Sequence, residues 1–139
     1  MPNNLDVVWM TQFHEVIIPK LPDQIRNPLE EASRKGWSFY AVNQRRGRCS
    51  YKDKEITIPI FAFNEIKKGQ HRFGYLEWYI SHELAHAWDF MSGSYIHSSP
   101  HGDSFMKHLE RICPREFLVY EINYKPRNVK SSGFILMEI

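Results

Sequence analysis

The five-residue sequence HELAH at positions 82–86 lies inside a long stretch, from about Phe73 to Met91, whose apolar residues recur at helical spacing. Because helical residues turn by about 100° each, His82 and His86 project from one face and can reach a single cation. Zinc favours neutral imidazole, and a catalytic zinc also needs a third protein ligand and a water of lowered pKa. Glu83 is placed to take the proton of that water. The pattern predicts a helix that carries one catalytic Zn²⁺ ion.

Size and composition predict a single domain, 1–139, large enough to bury a core. The formal net charge of +2 gives only a weak attraction to anionic partners. Cys49 and Cys113 are the two cysteines and stand in no CxxC pair, so we expect neither a C-terminal zinc ribbon nor a disulfide framework. No signal-peptide pattern and no membrane-spanning apolar run is present. We therefore expect an intracellular protein, cytoplasmic or associated with the nucleoid or nucleus, without a membrane partner; its oligomeric state stays open.

Two helices are predicted in the first quarter of the chain. Apolar residues recur at spacings of three and four over Leu5–Ile18, and Pro19 is expected to end that helix. A second, short helix is expected to start with Asn27 as its N-cap and Pro28 at its first position, and to end near Gly36.

Three strands are predicted next, at Trp37–Gln44, Arg48–Lys52 and Ile56–Ile60, separated by turn-forming residues. We expect a small antiparallel sheet, a meander, with Pro59 at an edge position or a strand end. An exposed strand of such a sheet can hold an extended peptide beside the metal. Asn64–Arg72 is predicted to be a loop. The predicted fold class is α+β, with about three strands packed against helices.

A second helix after the HELAH segment is predicted to open at His101 and to be halted by Pro114. The tail then contains two strand-like runs, Phe117–Tyr124 and Phe134–Ile139.

Several residues after His86 are candidates for the third metal ligand. His101 stands at the start of the helix predicted after HELAH, where packing by Phe105 can fix its approach to the metal. Spacing favours His101 modestly over His97, which lies in the connector. Asp89 points nearly the same way as His82 but starts about a turn beyond His86. It is better placed to accept a hydrogen bond from an imidazole, or it is a solvated carboxylate at the helix end.

HELAH is followed, fifteen residues after its second histidine, by HGDSFMKHLERI at positions 101–112. This combination resembles the SprT-like zinc metalloprotease domain of the Spartan-related family, and the similarity covers roughly Leu21–Pro114. In that family the histidine of the HGxxF element is the third zinc ligand, so the resemblance implies that His101 takes this role. It also implies a zincin-like arrangement, in which the HExxH helix is followed by a helix that carries the third ligand.

The resulting hypothesis is a zinc-dependent endopeptidase in which Glu83 is the catalytic base and a protein is the substrate. The reaction also requires a donor to the tetrahedral oxyanion, and the sequence does not choose among four candidates: Tyr75, Tyr79, Tyr95 and His97. A DNA-independent peptidase that cleaves one regulatory protein would share this site. The competing class is a nucleic-acid-binding or regulatory module with a structural zinc, for which an intact Glu83 has no use.

Basic residues on the predicted hairpin are the candidates for contact with single-stranded DNA: Arg45, Arg46, Arg48, Lys52 and Lys54. Cationic grooves beside aromatic side chains are what single-stranded nucleic acid needs, but lysine and arginine also protect edge strands from aggregation. The family resemblance implies stimulation by DNA and action on DNA-bound or crosslinked proteins, and the residues themselves leave both interpretations open.

Overall fold

The computed structural model describes residues 1–67 and 74–124, except for the side chains of 64–67 and 122–124, and it has the predicted mixed α+β architecture. In chain order the elements are α1 (Val7–Gln12), a π-helical turn (Phe13–Ile17), α2 (Ile18–Lys20), α3 (Asp23–Arg34), β1 (Ser38–Val42), β2 (Arg48–Ser50), β3 (Glu55–Pro59), α4 (Ile60–Lys67), α5 (Tyr75–Met91), α6 (Asp103–Ile112), a 3₁₀ turn (Arg115–Phe117) and α7 (Val119–Tyr124). No helix within the described ranges is long and apolar enough to cross a membrane.

The first predicted helix is confirmed as a continuous segment formed by α1, the π-helical turn and α2. It starts where the Asp6 side chain accepts a hydrogen bond from the Trp9 N–H at 3.0 Å. Pro19 does not end it but lies in its last turn. Because Pro19 has no N–H for the Glu15 carbonyl and its ring crowds that oxygen, the wider π turn directly before it has a local cause.

The predicted start of the second helix is wrong. Helix α3 begins after Pro22, so Asn27 and Pro28 lie inside it rather than at its N-terminus. Its buried residues, Ile25, Leu29 and Ala32, are spaced by four and three. These apolar residues lie on both sides of Pro28 in the sequence. The burial of their side chains outweighs the loss of one helical hydrogen bond at Pro28.

The sheet has three strands, as predicted, but its order is β1-β3-β2 and not that of a meander. Strand β1 pairs with β3 in parallel and β2 pairs with β3 antiparallel, so the prediction of an antiparallel sheet is wrong for one of the two pairings. The physical reason lies in composition. Ile56, Thr57 and Ile58 are all buried, which requires a central position, whereas the short β2 contains the exposed Arg48 and forms an edge. Pro59 ends the central strand.

Two further segments form helices where a loop and a strand were predicted. Helix α4 starts at Ile60 and continues to Lys67, so the predicted loop is wrong over residues 64–67, and residues 68–72 lie outside the described part of the chain. Val119–Tyr124 is the helix α7 rather than a strand. An apolar run this short does not distinguish the two periodicities. The predicted strand at 134–139 lies outside the described residues.

Helix α5 is the centre of the molecule and is buried on nearly every side. It packs against α3, α4, α6, α7 and the strands β2 and β3. Helices α6 and α7 cover the face of α5 that carries His82 and His86, so this face is buried as well. His82 and Glu83 on this face are therefore mostly buried.

Candidate metal centre

His82 and His86 lie one turn apart on α5, as the sequence predicted, and their ring centroids are 5.0 Å apart. The exposed fractions are 2% for His82 and 8% for His86. Imidazoles on a buried, regular helix have few alternative rotamers, so this pair is preorganised to act on one cation.

His101 joins this pair from outside α5. It lies just before α6, and its Nε2 atom is 3.0 Å from the Nε2 atom of His86. Each of the three histidines offers one ring nitrogen to a metal, and these three nitrogens lie within 4.8 Å of one another. Two nitrogens bound to one tetrahedral zinc ion are about 3.4 Å apart. The donor set of three imidazoles and its spacing therefore fit zinc, and His101 is the exposed member of the three.

Phe105 packs against all three imidazoles from the first turn of α6. Its ring is stacked on His86 with centroids 4.3 Å apart, and it meets the rings of His101 and His82 edge-on at 5.0 and 5.1 Å. Because Phe105 is fully buried, it fixes the imidazoles by packing. The phenylalanine of the HGxxF element therefore serves to hold the three imidazoles in place by packing.

The glycine of the same element allows a close approach. A Cβ atom at Gly102 would lie 2.7 Å from the Ser99 Oγ and 3.2 Å from its carbonyl oxygen. The connector before His101 can therefore fold tightly onto the start of α6. The Ser104 hydroxyl donates a hydrogen bond to the Ser94 carbonyl at 3.0 Å and ties the same connector to the helix.

Glu121 is a residue of the site that the sequence did not indicate. It lies on α7, is fully buried, and its Oε1 atom is 2.8 Å from the His82 Nδ1 and 3.1 Å from the Trp78 Nε1. A single acid within the apolar segment FLVYEINY was the available signal, since an acid is rarely buried without a partner. Because this segment was predicted to be a strand, Glu121 was not considered as a residue of the site.

Glu83 faces the cleft beside the histidines and is 5% exposed. Burial raises the pKa of Glu83 to about 7, the neighbouring His82 lowers it, and the Glu121 carboxylate raises it. A carboxyl group with such a pKa can both accept and donate a proton near neutral pH. A bound dication would lower this pKa again, since it favours the charged form.

An open cleft of about 560 Å³ connects these groups to solvent. Its described lining residues are Gln44, Arg46, Gly47, Arg48, Cys49, Tyr51, His82, Glu83, His86 and His101. The cleft thus lies between α5, the residue before α6 and the edge strand β2 with its flanking residues.

None of the four predicted oxyanion donors lines this cleft among the described residues. The Tyr79 hydroxyl accepts a hydrogen bond from the Gly47 N–H at 2.8 Å, and Tyr75 packs in a cluster of aromatic rings. The Tyr95 hydroxyl lies 3.4 Å from the His97 Nδ1, and the Tyr95 ring packs on Tyr51.

Tyr51 is the tyrosine that lines the cleft, and the sequence did not single it out. Burial raises the pKa of its hydroxyl above the ordinary value, and the neighbouring Cys49 adds to this effect. The hydroxyl therefore stays protonated at neutral pH and keeps its capacity to donate a hydrogen bond.

Asp89 does not have either of its two predicted roles. It is fully buried, not solvated, and its Oδ1 atom accepts a hydrogen bond from the Ser94 hydroxyl at 2.6 Å. The Asp89 carbonyl also accepts from the Ser94 N–H at 3.2 Å. Asp89 thus holds the connector to the end of α5, and the carboxylate beside an imidazole is that of Glu121.

The five predicted basic residues differ in whether they line the cleft. Arg46 and Arg48 line the cleft, whereas Lys52 and Lys54 lie beyond the other end of β2. The Lys54 Nζ donates to the Lys35 carbonyl at the end of α3, 3.3 Å away. Arg45 is exposed and is not among the cleft residues. Two of the five basic residues therefore line the cleft and three are not among its lining residues.

Fold and site together define a small α+β protein with a cluster of three histidines, able to hold a metal ion, at an open cleft. The model of the SprT-like family matches residues 20–125, so the chain belongs to the SprT-like family and contains a domain of the zinc metalloprotease type. The family resemblance drawn from HELAH and HGxxF is confirmed by this match. Comparisons with curated proteins and with solved structures gave no significant match.

Proposed function

We propose that this protein is a zinc-dependent endopeptidase of the SprT-like type. The observation that carries the proposal is the convergence of three imidazoles and one buried carboxyl group, Glu83, on a single open cleft. Family membership supports it, since the two sequence elements that define the cluster lie within the matched residues. A purely structural zinc site is closed by four protein ligands. It has no open position and no use for an acid such as Glu83.

His82, His86 and His101 are the residues that would hold the ion. At such a site zinc supplies Lewis-acid chemistry, lowering the pKa of a water and polarising a carbonyl group. Glu83 takes a proton from the attacking water while the water oxygen bonds to the carbonyl carbon of the substrate. It then gives that proton to the nitrogen of the leaving amine as the C–N bond breaks. Tyr51 is the proposed donor of a hydrogen bond to the oxyanion, since it is the tyrosine among the described residues that line the cleft.

The substrate is an extended protein segment that lies along the edge strand β2. Consecutive residues from Arg46 to Cys49 line the cleft, and β2 pairs with β3 on one side only among the described strands. The unpaired edge of a strand can add a peptide through main-chain hydrogen bonds. Because such bonds are independent of side chains, sequence selectivity is expected to be loose.

Single-stranded DNA is the second proposed partner, as a stimulator that brings DNA-bound or crosslinked proteins to the cleft. Arg46 and Arg48 support this, since they place positive charge at the cleft itself. Cationic residues on a groove attract phosphates without regard to sequence. A peptidase that acts on a regulatory protein without DNA would use the same site, and the assay below separates the two.

The test compares the zinc-loaded wild type with Glu83→Gln on a DNA-binding protein, with and without single-stranded DNA. We expect wild-type fragments that increase with DNA, including self-cleavage, and no cleavage by Glu83→Gln although its zinc content is unchanged. Glu110→Gln, on the exposed side of α6, is the matched control and should cleave normally. Persistent cleavage by Glu83→Gln would contradict the mechanism, and cleavage indifferent to DNA would favour the DNA-independent peptidase.

A further inference from the structure

We infer that Glu121 is a positioning residue of the metal centre, and that α7 is therefore part of the site. Glu121 holds the His82 imidazole in the tautomer and orientation that leave its Nε2 atom available to the metal. This inference rests on the proposed zinc site and adds to it a residue 39 positions beyond the HExxH histidine that it serves.

The hydrogen bonds at Glu121 determine which atom donates. The Trp78 Nε1–H can only donate, and it points to the Glu121 Oε1 at 3.1 Å, so this oxygen is an acceptor. The His82 Nδ1 lies 2.8 Å from the same oxygen, and with Glu121 as a carboxylate, which can only accept, this nitrogen carries the proton and donates it. In a neutral imidazole the other nitrogen, Nε2, then holds the lone pair that a metal can use.

The burial of Glu121 makes this arrangement specific. Its side chain is fully buried, and an isolated carboxylate in an apolar interior would be very unfavourable. Two donors, an indole and an imidazole, converge on one of its oxygens, and a cation bound at His82 would add further compensation. A carboxylate behind a metal-binding histidine strengthens donation to the metal and fixes the ring.

Aromatic packing holds α7 in the required place. The Tyr120 ring, next to Glu121 on α7, meets Tyr75 edge-on at 5.4 Å and lies 6.2 Å from Trp78. Trp78 therefore contacts α7 in two ways, through its ring and through its N–H. The first turn of α5 thus positions α7, and α7 in turn positions His82.

The experiment measures the zinc dissociation constant of Glu121→Ala and Glu121→Gln by competition with a chelator. We expect about 10- to 100-fold weaker binding for Glu121→Ala, as is usual when such a partner of a metal-binding histidine is lost. Glu121→Gln keeps an acceptor oxygen without the charge, so it should recover part of the affinity. Glu116→Gln, an exposed acid on the preceding 3₁₀ turn, is the matched control and should bind as the wild type does.

Two further readouts separate positioning from a structural role. The visible absorption of the Co²⁺-substituted protein should change in Glu121→Ala, because the ring orientation of one ligand changes. The melting temperature of the metal-free protein reports folding alone, and Glu121→Gln, which keeps size and shape, remains decisive if Glu121→Ala does not fold.

The outcomes are distinct. Wild-type zinc affinity in both variants, with only metal-free stability altered, would overturn the role of Glu121 while leaving the zinc site intact. Absence of zinc binding in the wild type would overturn both this inference and the proposed function.

Discussion

Gly47 shows how a single residue determines the distance between the sheet and the site. A Cβ atom there would lie 2.6 Å from the Thr57 carbonyl oxygen, 2.6 Å from the Tyr79 ring and 3.3 Å from the Glu83 Oε2. The Gly47 N–H also donates to the Tyr79 hydroxyl. Only a residue without a side chain lets the backbone before β2 approach α5 this closely.

We predict that Gly47→Ala lowers the free energy of unfolding of the metal-free protein by about 1 to 3 kcal/mol, because the added methyl group overpacks the contact. It should also reduce cleavage, since Glu83 or Tyr79 must move. Chemical denaturation measures the first effect. Gly93→Ala is the control: it has open space but a φ of +76°, so it should cost only about 1 kcal/mol and leave cleavage intact. Unchanged stability of Gly47→Ala would contradict the packing argument.

At the residue scale, sequence reasoning identified groups that act through local spacing. His82, Glu83 and His86 share one helix, so helical geometry alone brings them together. Glu121 and Tyr51 reach the site through tertiary packing, which leaves no periodic pattern in the sequence. Asp89 illustrates the converse, because its spacing suits an imidazole partner but Ser94 lies closer in the folded chain.

The contact between α3 and α5 includes one specific polar link. The Trp88 Nε1–H on α5 donates a hydrogen bond to the Pro28 carbonyl on α3 at 3.0 Å. Pro28 lies inside α3 and has no N–H, so the regular helical hydrogen bond to the Gln24 carbonyl is missing at this point of α3. The Trp88 hydrogen bond therefore links the helix that carries the histidines to α3.

We predict that Trp88→Phe destabilises the protein by about 0.5 to 1.5 kcal/mol beyond the effect of the lost ring volume, because one hydrogen bond is removed. The matched control is Trp37→Phe, since the buried Trp37 Nε1 has no hydrogen-bond partner in the described part of the chain. Denaturant titration of both variants gives the comparison. A larger loss in Trp37→Phe than in Trp88→Phe would contradict the assignment.

At the element scale, long and strongly periodic segments were predictable and pairings were not. The helices around HELAH and HGxxF followed from their apolar spacing, and three strands followed from alternation. The order β1-β3-β2 depends on which strand is buried on both faces, and this is decided by the helices that cover the sheet. Helix α7 is short and was assigned the wrong period, since its six residues fit either pattern.

Across the whole molecule the net charge is small, +2, so any attraction for DNA has to come from the placement of charges. The structure divides the basic residues around β2 into those at the cleft, Arg46 and Arg48, and those away from it. This division gives a direct way to ask whether DNA and substrate share one surface.

We predict that replacing Arg46 and Arg48 together with Ala weakens binding of single-stranded DNA and lowers the slope of log K against log salt by about one to two. The control pair, Arg45 with Lys52, has the same charge but does not line the cleft and should have a smaller effect. Fluorescence anisotropy with a labelled oligonucleotide at several salt concentrations measures both. An equal effect of the two pairs would place the DNA outside the cleft.

We propose that His101 completes a zinc centre with His82 and His86 of α5, and the zinc content of purified His101→Ala and His97→Ala tests this role. His97 is the matched control because it lies in the same connector and was the competing candidate. We predict one zinc per chain in the wild type and in His97→Ala, and a sharp loss in His101→Ala. Full zinc occupancy in His101→Ala would show that His101 is not a ligand of the zinc ion.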